Sequence, residues 1–358
     1  MNSKYEILTD LLTKQIANYI KDGISRLPAE RELCNIYNVS RQTVRNALSI
    51  LEENNIIRRV PGSGAYITGI LPGKYSDKIA LLITEDSEYT YPAFISKIEQ
   101  YLTSFGFSLS VYVTNDDFFK EREYLLNLID NNVRGIIIEP VNSLISPNID
   151  CYNQLRSKEI PFIFINRVYS NLTDSIVIKE DNHMGGILSG QYLLSLSHTR
   201  IAGIFMTNSL EAQERSFGLA RSIIESGNSF SSNDLLWYTK EDLISLRKKS
   251  NTSFLSDMIN RKLKSYTAVV CQNDEIAYHL IRELTALGID VPSDISVLSF
   301  DKSYLSDFSK ISITSFGHKE ISLSKYLCDT LLSIIKGQPA SPSFIQWDIN
   351  LGQSCCSL

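Results

Sequence analysis

Apolar residues recur at helical spacing near the start of the chain. The first predicted helix covers about residues 4–21, and Gly23 supplies its C-terminal stop. Its apolar positions share one face and are Leu8, Leu12, Ile16 and Ile20. From residue 78 onward the pattern changes to short apolar runs that alternate with longer amphipathic stretches. This change predicts a mainly helical head followed by a body of alternating strands and helices.

Residues 33–51 predict two helices joined by a tight turn. Asn38 can adopt the left-handed conformation of such a turn, and Ser40 can cap a helix that begins near Arg41. The apolar stripe of that helix consists of Val44, Ala47, Leu48 and Leu51. Its opposite face is polar and consists of Arg41, Gln42, Arg45, Asn46 and Ser49. Arg, Gln and Asn side chains pair with base edges in the major groove, so this face predicts DNA recognition.

The neighbouring residues favour DNA recognition over an ordinary amphipathic helix with a solvated polar face. Pro28 and the carboxylates after it are typical of the first turn of a preceding helix. Residues 56–67 predict a strand, a glycine turn and a second strand, which is the pattern of a wing. The wing residues suited to contact the DNA backbone are Arg58, Arg59, Gly62, Ser63 and Gly64.

Residues 4–68 resemble the winged helix-turn-helix of the GntR family of bacterial transcription regulators. The matching motifs are Leu-Pro-Ala-Glu-Arg-Glu-Leu at 27–33, Val-Ser-Arg-Gln-Thr-Val-Arg-Asn-Ala-Leu at 39–48 and Gly-Ser-Gly at 62–64. The resemblance implies that the matching positions contact DNA, namely Arg41, Thr43, Arg45, Gly62 and Gly64, with Lys4 and Tyr5 at the start of the first helix. Ala29 departs from the family, which has Ser or Thr there, and so removes a hydroxyl that can cap a helix or contact a phosphate.

The body predicts parallel sheets with right-handed crossovers, because strands and helices alternate regularly. The predicted strands are 79–84, 109–113, 135–139, 162–166, 176–178, 200–205, 268–271 and 296–300. The predicted helices are 93–105, 118–131, 183–196, 213–226, 254–263 and 274–287. A body of about 280 residues is long for one such sheet, so we expect two doubly wound α/β lobes. The predicted division is therefore a winged head at 1–68, a linker at 69–77 and a two-lobed body at 78–358.

Polar residues follow several of the predicted strands. Ligands of parallel sheets bind at the carboxyl ends of strands, so these residues are candidates for ligand contact. They are Glu139, Asn166 with Arg167, Asp181, Asp274 and Asp301, followed by the weaker candidates Arg215, His318, Tyr89 and Tyr91. For Asp181 and Asp274 the alternative is that each side chain caps the next helix. Structural roles are favoured for His183 and His198.

The body resembles the effector domain of the LacI/GalR family and, by fold, the sugar-binding periplasmic proteins. The motifs are Pro-Phe-Ile-Phe-Ile-Asn-Arg at 161–167, Asp-Asn-His-Met-Gly-Gly at 181–186, Gln-Asn-Asp-Glu-Ile-Ala at 272–277 and Val-Pro-Ser-Asp-Ile-Ser-Val-Leu-Ser-Phe-Asp at 291–301. The resemblance implies that Arg167, Asp274 and Asp301 hydrogen-bond an effector. The sequence Ser-Phe-Asp-Lys at 299–302 departs from the usual Gly-Tyr-Asp-Asp, which alters the expected edge of the pocket.

A GntR-type head on a LacI-type body resembles the arabinose-responsive repressor group. The candidate effector residues are Tyr91, Glu139, Arg167, Asp181, Arg215, Asp274, Asp301 and His318. Carboxylates outnumber arginines in this set, which suits a neutral sugar better than a phosphate or a carboxylate. L-arabinose is the expected sugar, and another sugar or sugar derivative is the alternative.

Composition is consistent with a DNA-binding regulator. The chain has 358 residues and a net charge of −5, but residues 1–70 carry nine Lys/Arg against seven Asp/Glu. A weakly basic head on an acidic body suits local contact with DNA. The N-terminus has neither signal-peptide nor membrane-anchor character, so we expect a cytoplasmic protein without a membrane partner. The six cysteines lack metal or redox spacing, and neither a metal nor a cofactor is expected.

Other classes of protein fit the sequence less well. A sugar-active enzyme is disfavoured because phosphate-loop, dinucleotide-binding and nucleophile-elbow motifs are absent from the sequence. A sugar carrier would leave residues 1–68 unexplained. The expected protein is a homodimeric repressor with two heads on a two-fold symmetric DNA operator. Sugar binding is expected to close the lobes and release the DNA through a coupling of about 1–3 kcal/mol.

Overall fold

The computed structural model describes residues 4–21, 24–54, 56–60, 63–68, 77–85, 89–172, 174–318 and 323–358. Gly23, Gly62 and residues 69–76 of the predicted linker lie outside these ranges. The chain divides into two compact units, of which the first comprises 1–179 with 324–343 and the second 180–323 with 344–358. The chain therefore passes between the units three times, a connectivity that sequence analysis did not predict.

The helices and strands follow the predicted alternation. The helices are α1 Lys4–Lys21, α2 Glu30–Tyr37, α3 Arg41–Glu53, α4 Tyr91–Ser104, α5 Phe118–Asp130, α6 Ile149–Ser157, α7 Asn182–Ser195, α8 Leu210–Glu225, α9 Lys240–Lys249, α10 Ser253–Arg261, α11 Asp274–Ala286, α12 Tyr304–Phe308 and α13 Leu323–Ile335. The strands are β1 Ile57–Val60, β2 Gly64–Ile67, β3 Lys78–Ile83, β4 Ser108–Val113, β5 Gly135–Ile138, β6 Phe162–Ile165, β7 Val177–Glu180, β8 Ile201–Met206, β9 Leu235–Tyr238, β10 Ala268–Cys271, β11 Ser296–Phe300, β12 Thr314–Gly317, β13 Ser343–Ile345 and β14 Asp348–Asn350.

The head is a winged helix-turn-helix, as predicted. The strands β1 and β2 pair antiparallel with Arg58 opposite Tyr66, and they form the wing. The core of the head is built by the apolar stripes of its three helices and by the inward residues of the wing. Its fully or nearly fully buried residues are Leu8, Leu12, Ile16, Leu27, Leu33, Val44, Ala47, Leu48, Leu51, Ile56, Ile57 and Ala65. Burial of this stripe turns the polar side of α3 outward.

The body contains two doubly wound sheets, which confirms the predicted fold class. One sheet has the strand order β13-β7-β6-β5-β3-β4 and the other has the order β14-β12-β11-β10-β8-β9. The pairs from β3 to β12 are parallel, whereas β14 runs antiparallel to β12. All eight predicted strands form. Among the described residues, no helix is both long and apolar enough to span a bilayer.

Several elements of the body were missed by the sequence prediction. They are β9, β13, β14, α6, α9, α12 and α13, whereas β12 was expected as a late strand before His318 but without bounds. The strands β13 and β14 have three residues each, which is too short for an alternating pattern to stand out. The helices α9 and α12 are preceded by Thr239 and Ser303, whose side chains accept backbone N–H groups as N-caps. These caps were a usable signal for both starts.

Helices α7 and α8 pack with their backbones in close approach in the second unit. A methyl group on Gly186 would lie 2.1 Å from the Arg215 carbonyl oxygen, and one on Gly218 would lie 2.1 Å from the His183 carbonyl oxygen. Gly190 faces the Ser222 side chain in the same way, at 1.9 Å. The glycines are therefore needed for close contact between the helices. This contact fixes the position of Arg215 on α8.

Replacement of Gly186 by Ala should force the two helices apart, since its new methyl group meets backbone rather than a flexible side chain. We expect unit 2 to lose roughly 1–3 kcal/mol of unfolding free energy, as in other overpacked cores. Both tryptophans of the chain, Trp237 and Trp347, lie in unit 2, so denaturant unfolding followed by tryptophan fluorescence measures the effect. The exposed α7 substitution Gln191→Ala is the control. Equal midpoints for both variants would contradict the packing argument.

Candidate DNA interface and effector groups

The turn before α3 sets the direction of the recognition helix. Asn38 ends α2 with φ 50° and ψ 51°, the left-handed conformation that was predicted. The Ser40 hydroxyl accepts the Thr43 backbone N–H at 3.2 Å and lies 2.8 Å from the Thr43 hydroxyl. Thr43 is thus half-buried and part of the cap, so its hydroxyl serves the helix start in this structure. The cap orients the first turn of α3 so that its polar side chains face outward.

Two contacts hold the polar side chains of α3 in order. Gln42 donates from Nε2 to Asn46 Oδ1 at 2.9 Å, one turn further along the helix. Arg45 Nε lies 3.0 Å from Glu30 Oε2, and the Arg45 side chain stays 59% exposed. Exposed ion pairs are weak, so a DNA phosphate or base can replace Glu30 as the partner of Arg45. Arg41 is also exposed.

Arg26 supports the wing, and sequence analysis did not identify it. Its guanidinium donates to the Ser63 carbonyl oxygen and lies 5.7 Å from the centre of the Tyr66 ring. Gly64 has φ 121°, and a methyl group there would lie 3.0 Å from Arg26 Nη2. A side chain at Gly64 would therefore be strained and would crowd the guanidinium. Ser63 Oγ lies 2.6 Å from the Tyr66 hydroxyl, which further fixes the tip.

The two wing arginines have different surroundings. Arg58 is exposed on β1. Arg59 donates from Nε to Glu52 Oε2 at 2.6 Å and from Nη2 to Ser49 Oγ at 3.2 Å, so it ties the wing to α3. Both side chains of the Arg59–Glu52 pair are more than one-third exposed, so contact between Arg59 and a DNA phosphate stays a prediction. At the start of α1, Lys4 is exposed and Tyr5 is half-buried.

The departure at Ala29 has a local consequence. Ala29 offers no side-chain cap to α2, but its backbone N–H donates to Glu32 Oε2 at 2.9 Å. The reverse half of a capping box is thus kept while the hydroxyl half is lost.

In unit 1, Glu139 lies directly after β5 and is 9% exposed. Its Oε2 accepts the Tyr91 hydroxyl at 2.7 Å and the Thr84 backbone N–H at 3.0 Å. Burial raises the pKa of Glu139 above its usual value, although these hydrogen bonds and the charge of Arg167 oppose the rise. The predicted residues Tyr91 and Glu139 are therefore in direct contact.

Arg167 lies after β6, close to the same sheet edge. It donates from Nη1 to Asn142 Oδ1 at 2.8 Å. The preceding Asn166 has φ 60°, and its buried Oδ1 has no hydrogen-bond partner among the described residues. A buried acceptor without a partner is costly, which makes Asn166 a further candidate for ligand contact.

In unit 2, Arg215 is 5% exposed and its guanidinium is surrounded by acceptors and rings. Nε donates to Asn182 Oδ1 at 2.7 Å and Nη1 donates to the Gln272 carbonyl oxygen at 2.5 Å. The guanidinium carbon lies 4.3 Å from the centre of the Phe300 ring and 4.9 Å from that of Trp347. Arg215 thus organises a cluster, and sequence analysis missed Asn182, Phe300 and Trp347 as its members.

Glu180 and His318 complete this cluster. His318 Nε2 lies 2.8 Å from Glu180 Oε1, and Arg215 Nη2 lies 3.6 Å from Glu180 Oε2. The His318 and Trp347 rings are tilted by 33° with centres 4.4 Å apart. The Trp347 Nε1 atom is buried and has no hydrogen-bond partner among the described residues. Glu180 escaped prediction because its strand was expected to end at 178, two residues too early.

The pKa values of this pair move apart. Burial acts to lower the pKa of His318, but the hydrogen bond and charge of Glu180 outweigh it and raise the pKa. Burial acts to raise the pKa of Glu180, but the hydrogen bond and charge of His318, with the charge of Arg215, outweigh it and lower the pKa. The opposite shifts show that each partner favours the charged form of the other.

Asp274 has a different role from the one predicted. Its side chain is fully buried, and four donors from three serines occupy its oxygens. Oδ1 accepts the Ser299 hydroxyl and, at 2.7 Å, the Ser315 hydroxyl, while Oδ2 accepts the Ser303 N–H at 2.7 Å and hydroxyl at 2.9 Å. Direct contact between Asp274 and an effector is corrected, because no oxygen faces solvent. Asp274 instead fixes the loop that follows β11.

That loop carries Asp301, which has φ 97°, followed by Lys302 with φ 46°. Lys302 Nζ donates to Asp307 Oδ1 at 2.6 Å, so the lysine of the unusual Ser-Phe-Asp-Lys sequence is paired within the loop. Asp301 is half-buried at the carboxyl end of β11. The anchor at Asp274 holds this strained backbone in place.

Asp181 acts as the N-cap of α7. Its side chain accepts the Met184 backbone N–H at 3.1 Å, the structural alternative considered from the sequence. Asn273, rather than Asp274, caps α11 by accepting the Ile276 N–H at 3.1 Å. Within the described ranges, no group of three or more His, Cys, Asp or Glu side chains is arranged to hold a metal ion.

Comparisons with known proteins agree for both parts of the chain. Residues 4–67 match the gntR family of bacterial regulatory proteins, and residues 191–355 match a periplasmic binding protein-like domain. The chain is 30% identical to the arabinose metabolism transcriptional repressor of Geobacillus stearothermophilus over 91% of this chain and 90% of that protein. It is 29% identical to the repressor of the same name from Halalkalibacterium halodurans over 94% and 90%. The lac repressor dimer bound to operator and the anti-inducer ONPF shares the fold, with a TM-score of 0.66 at 19% identity over 80% of this chain and 96% of that chain.

A winged helix-turn-helix head with two doubly wound α/β units defines a DNA-binding regulator of transcription. More narrowly, the chain belongs to the family of the arabinose metabolism transcriptional repressors, with a GntR-type head and a periplasmic-binding-protein-like body. It is a sugar-responsive DNA-binding repressor and not an enzyme, as the sequence predicted.

The Glu180–His318 pair should make the stability of unit 2 depend on pH. A raised histidine pKa stabilises the fold fully below the ordinary value of 6.5, and this contribution is lost as pH rises through the folded-state pKa. A lowered glutamate pKa stabilises fully above the ordinary value of 4.5, and that contribution is lost as pH falls through the folded-state pKa. The difference between the wild type and His318→Gln should thus be largest between these two values, at roughly 1–3 kcal/mol, and should shrink above them.

Denaturant unfolding of unit 2 from about pH 4.5 to 8.5, followed by tryptophan fluorescence, measures this difference. The exposed substitution Thr199→Ala introduces no titrating group and supplies the baseline. A difference between wild type and His318→Gln that stays flat, or grows at high pH, would contradict the ionic pairing.

Proposed function

We propose that the chain represses genes of sugar utilisation and that L-arabinose releases it from its operator. The observation that carries the proposal is the alignment with two arabinose metabolism repressors over at least nine-tenths of each chain, which includes head and body together. The exposed, capped recognition helix supports operator binding. As a repressor of chromosomal genes, the protein would act in the cytoplasm.

The proposed DNA contacts divide by chemistry. Arg41, Gln42 and Arg45 face outward on α3 and are assigned to base edges in the major groove. The residues assigned to backbone and groove contacts are Lys4, Tyr5, Thr43, Arg58, Gly62, Ser63 and Gly64, of which Gly62 lies outside the described residues. The pairing of Arg45 with Glu30 supports this assignment because it holds the guanidinium ready on the surface.

Each unit has its own proposed effector contacts. In unit 1 they are Tyr91, Glu139 and Arg167, with Asn166 added. In unit 2 they are Arg215, Asp301 and His318, with Trp347 added, whereas Asp181 and Asp274 shape the site as a cap and an anchor. Carboxylates that accept hydroxyl groups, and an aromatic ring that packs on C–H groups, suit a neutral sugar.

The proposed mechanism is thermodynamic linkage between the two ligands. The head is assigned to residues 1–68, the linker to 69–77 and the body to 78–358, and the protein would act as a homodimer with one head on each operator half-site. Sugar binding changes the conformation of the body and with it the spacing of the heads. A coupling of about 1–3 kcal/mol corresponds to roughly 5–150-fold weaker operator binding.

Fluorescence anisotropy tests the proposal directly. The full-length protein is titrated onto labelled DNA from its own promoter, and L-arabinose, other pentoses and hexoses are then added in parallel. We expect release by L-arabinose at concentrations that leave the complex intact with the other sugars. Tight binding released only by another sugar would overturn the arabinose assignment, and binding no tighter than to random DNA would overturn operator recognition.

Arg45→Ala should lower discrimination between operator and random DNA by roughly 1–3 kcal/mol, because a base contact is lost. Arg58→Ala, the matched control, should weaken binding to both DNAs equally and reduce the salt slope by about one. Anisotropy over a salt series on both DNAs measures the two effects. Equal losses on both DNAs for Arg45→Ala would make Arg45 a phosphate contact.

Glu139→Gln should weaken L-arabinose binding by roughly 10–100-fold, because a charge-assisted hydrogen bond is replaced by a neutral one. Operator binding without sugar should not change. Calorimetry with L-arabinose, together with operator binding, separates the two effects. The exposed α4 substitution Glu99→Gln is the matched control. Wild-type sugar affinity in Glu139→Gln would remove Glu139 from the site.

A further inference from the structure

Helix α8 has two apolar faces, and only one of them is used by the fold of unit 2. The inner face is buried against β8 and α7 and includes Ala212, Leu219 and Ile223. The outer face carries three large apolar side chains, Leu210, Phe217 and Ile224, which are 42%, 65% and 54% exposed. A second apolar face on a helix that is already packed requires an explanation, because it does not contribute to this core.

The outer residues are spaced seven apart, which is the repeat of a helix-to-helix seam. Gln213 and Ala220 fall on the intermediate positions, so Leu210, Gln213, Phe217, Ala220 and Ile224 form one continuous row, here called the α8 seam. Single exposed apolar residues are ordinary on protein surfaces, but a row with this period is typical of a surface on which a partner helix packs. Phe217 alone exposes roughly 100–160 Å², taking about 150–250 Å² for a whole aromatic side chain.

The charges beside the seam indicate which helix can pack on it. Glu214 lies three residues before Phe217, and Arg221 lies four residues after it. The two charged residues are thus seven apart and occupy equivalent positions of the repeat. Arg221 currently pairs with Glu225 at 2.8 Å, with both side chains more than half exposed. When two copies of α8 run antiparallel around Phe217, Leu210 faces Ile224 of the second copy and Glu214 faces Arg221 twice. A parallel pair would not bring these opposite charges together.

We infer that the α8 seam is a self-association surface that binds the same seam of a second copy of this chain in an antiparallel, two-fold symmetric contact. Both the apolar row and the charges are self-complementary, as an isologous interface requires. A single helix pair buries less than the roughly 1,200 Å² of a standard interface, so the contact is weak and depends on concentration. If the proposed operator function holds, copies at neighbouring DNA sites have a raised effective concentration and would be joined through α8.

Sedimentation velocity of the full-length protein without DNA, over a concentration series, tests the contact independently of operator and sugar binding. We expect wild type to show an association step. Phe217→Asp should lower its association constant at least roughly 10-fold, because both copies contribute Phe217 at the centre of the contact. Leu351→Asp places the same charge on an exposed apolar residue of the same unit and should leave the step unchanged. Circular dichroism and thermal unfolding verify that each variant is folded.

A charge exchange makes the test specific to the antiparallel geometry. Glu214→Arg and Arg221→Glu should each weaken the step by roughly 3–10-fold, since each creates two like-charge pairs. The double variant with both changes should restore it, because the opposite charges face each other again. The inference is overturned if Phe217→Asp leaves the association step as in wild type, or if the double variant associates no better than the two single variants.

Discussion

A buried positive charge has to be compensated, and in unit 2 the compensation of Arg215 determines the arrangement of the candidate effector groups. Arg215 is 5% exposed, and its guanidinium is satisfied by Asn182, the Gln272 carbonyl, Glu180 and two aromatic rings. Removing a charge from water costs several kcal/mol unless such partners are present. Each partner comes from a different element, so satisfying one side chain fixes the starts of α7 and α8 and the ends of β7 and β10. The close contact between α7 and α8 at their glycines brings these elements near enough for their groups to reach Arg215.

The same requirement explains why acidic residues near the site have unequal roles. Asp274 is surrounded by serine donors and has no face left for a ligand, whereas Glu139 accepts the Tyr91 hydroxyl and the Thr84 N–H on the same oxygen. A carboxylate with unused acceptor capacity can bind a hydroxyl group of a ligand. In the head, Glu30 and Glu52 act similarly toward arginines, but Arg45 remains mostly exposed whereas Arg59 links the wing to α3. Local hydrogen bonding therefore decides which charged groups remain available for function.

Much of the fold was predictable because its signals are local. The turn at Asn38, the cap at Ser40 and the stripe of α3 lie within a few residues of one another, and the structure has all three. The strands of the body are short apolar runs and were found within two or three residues of their observed ends. The three crossings between the units are not encoded in any local pattern, and neither is the antiparallel strand β14.

The candidate site was less predictable because its members are distant in sequence. The rule that ligands bind at strand ends identified Glu139, Asp301 and His318, but it could not distinguish Asp181 as a cap or Asp274 as an anchor. That distinction depends on serines 25 to 41 residues away from Asp274. Trp347 joins the cluster from a turn between two three-residue strands, where no periodic pattern marks it.

In the proposed function, operator DNA and sugar oppose each other through one protein. The most direct measurement is a closed thermodynamic cycle: the sugar Kd with and without saturating operator, and the operator Kd with and without saturating sugar. We expect each ligand to weaken the binding of the other by the same factor, between about 5 and 150, since linkage requires equal ratios. Ratios of one on both arms, with both ligands bound tightly, would contradict it.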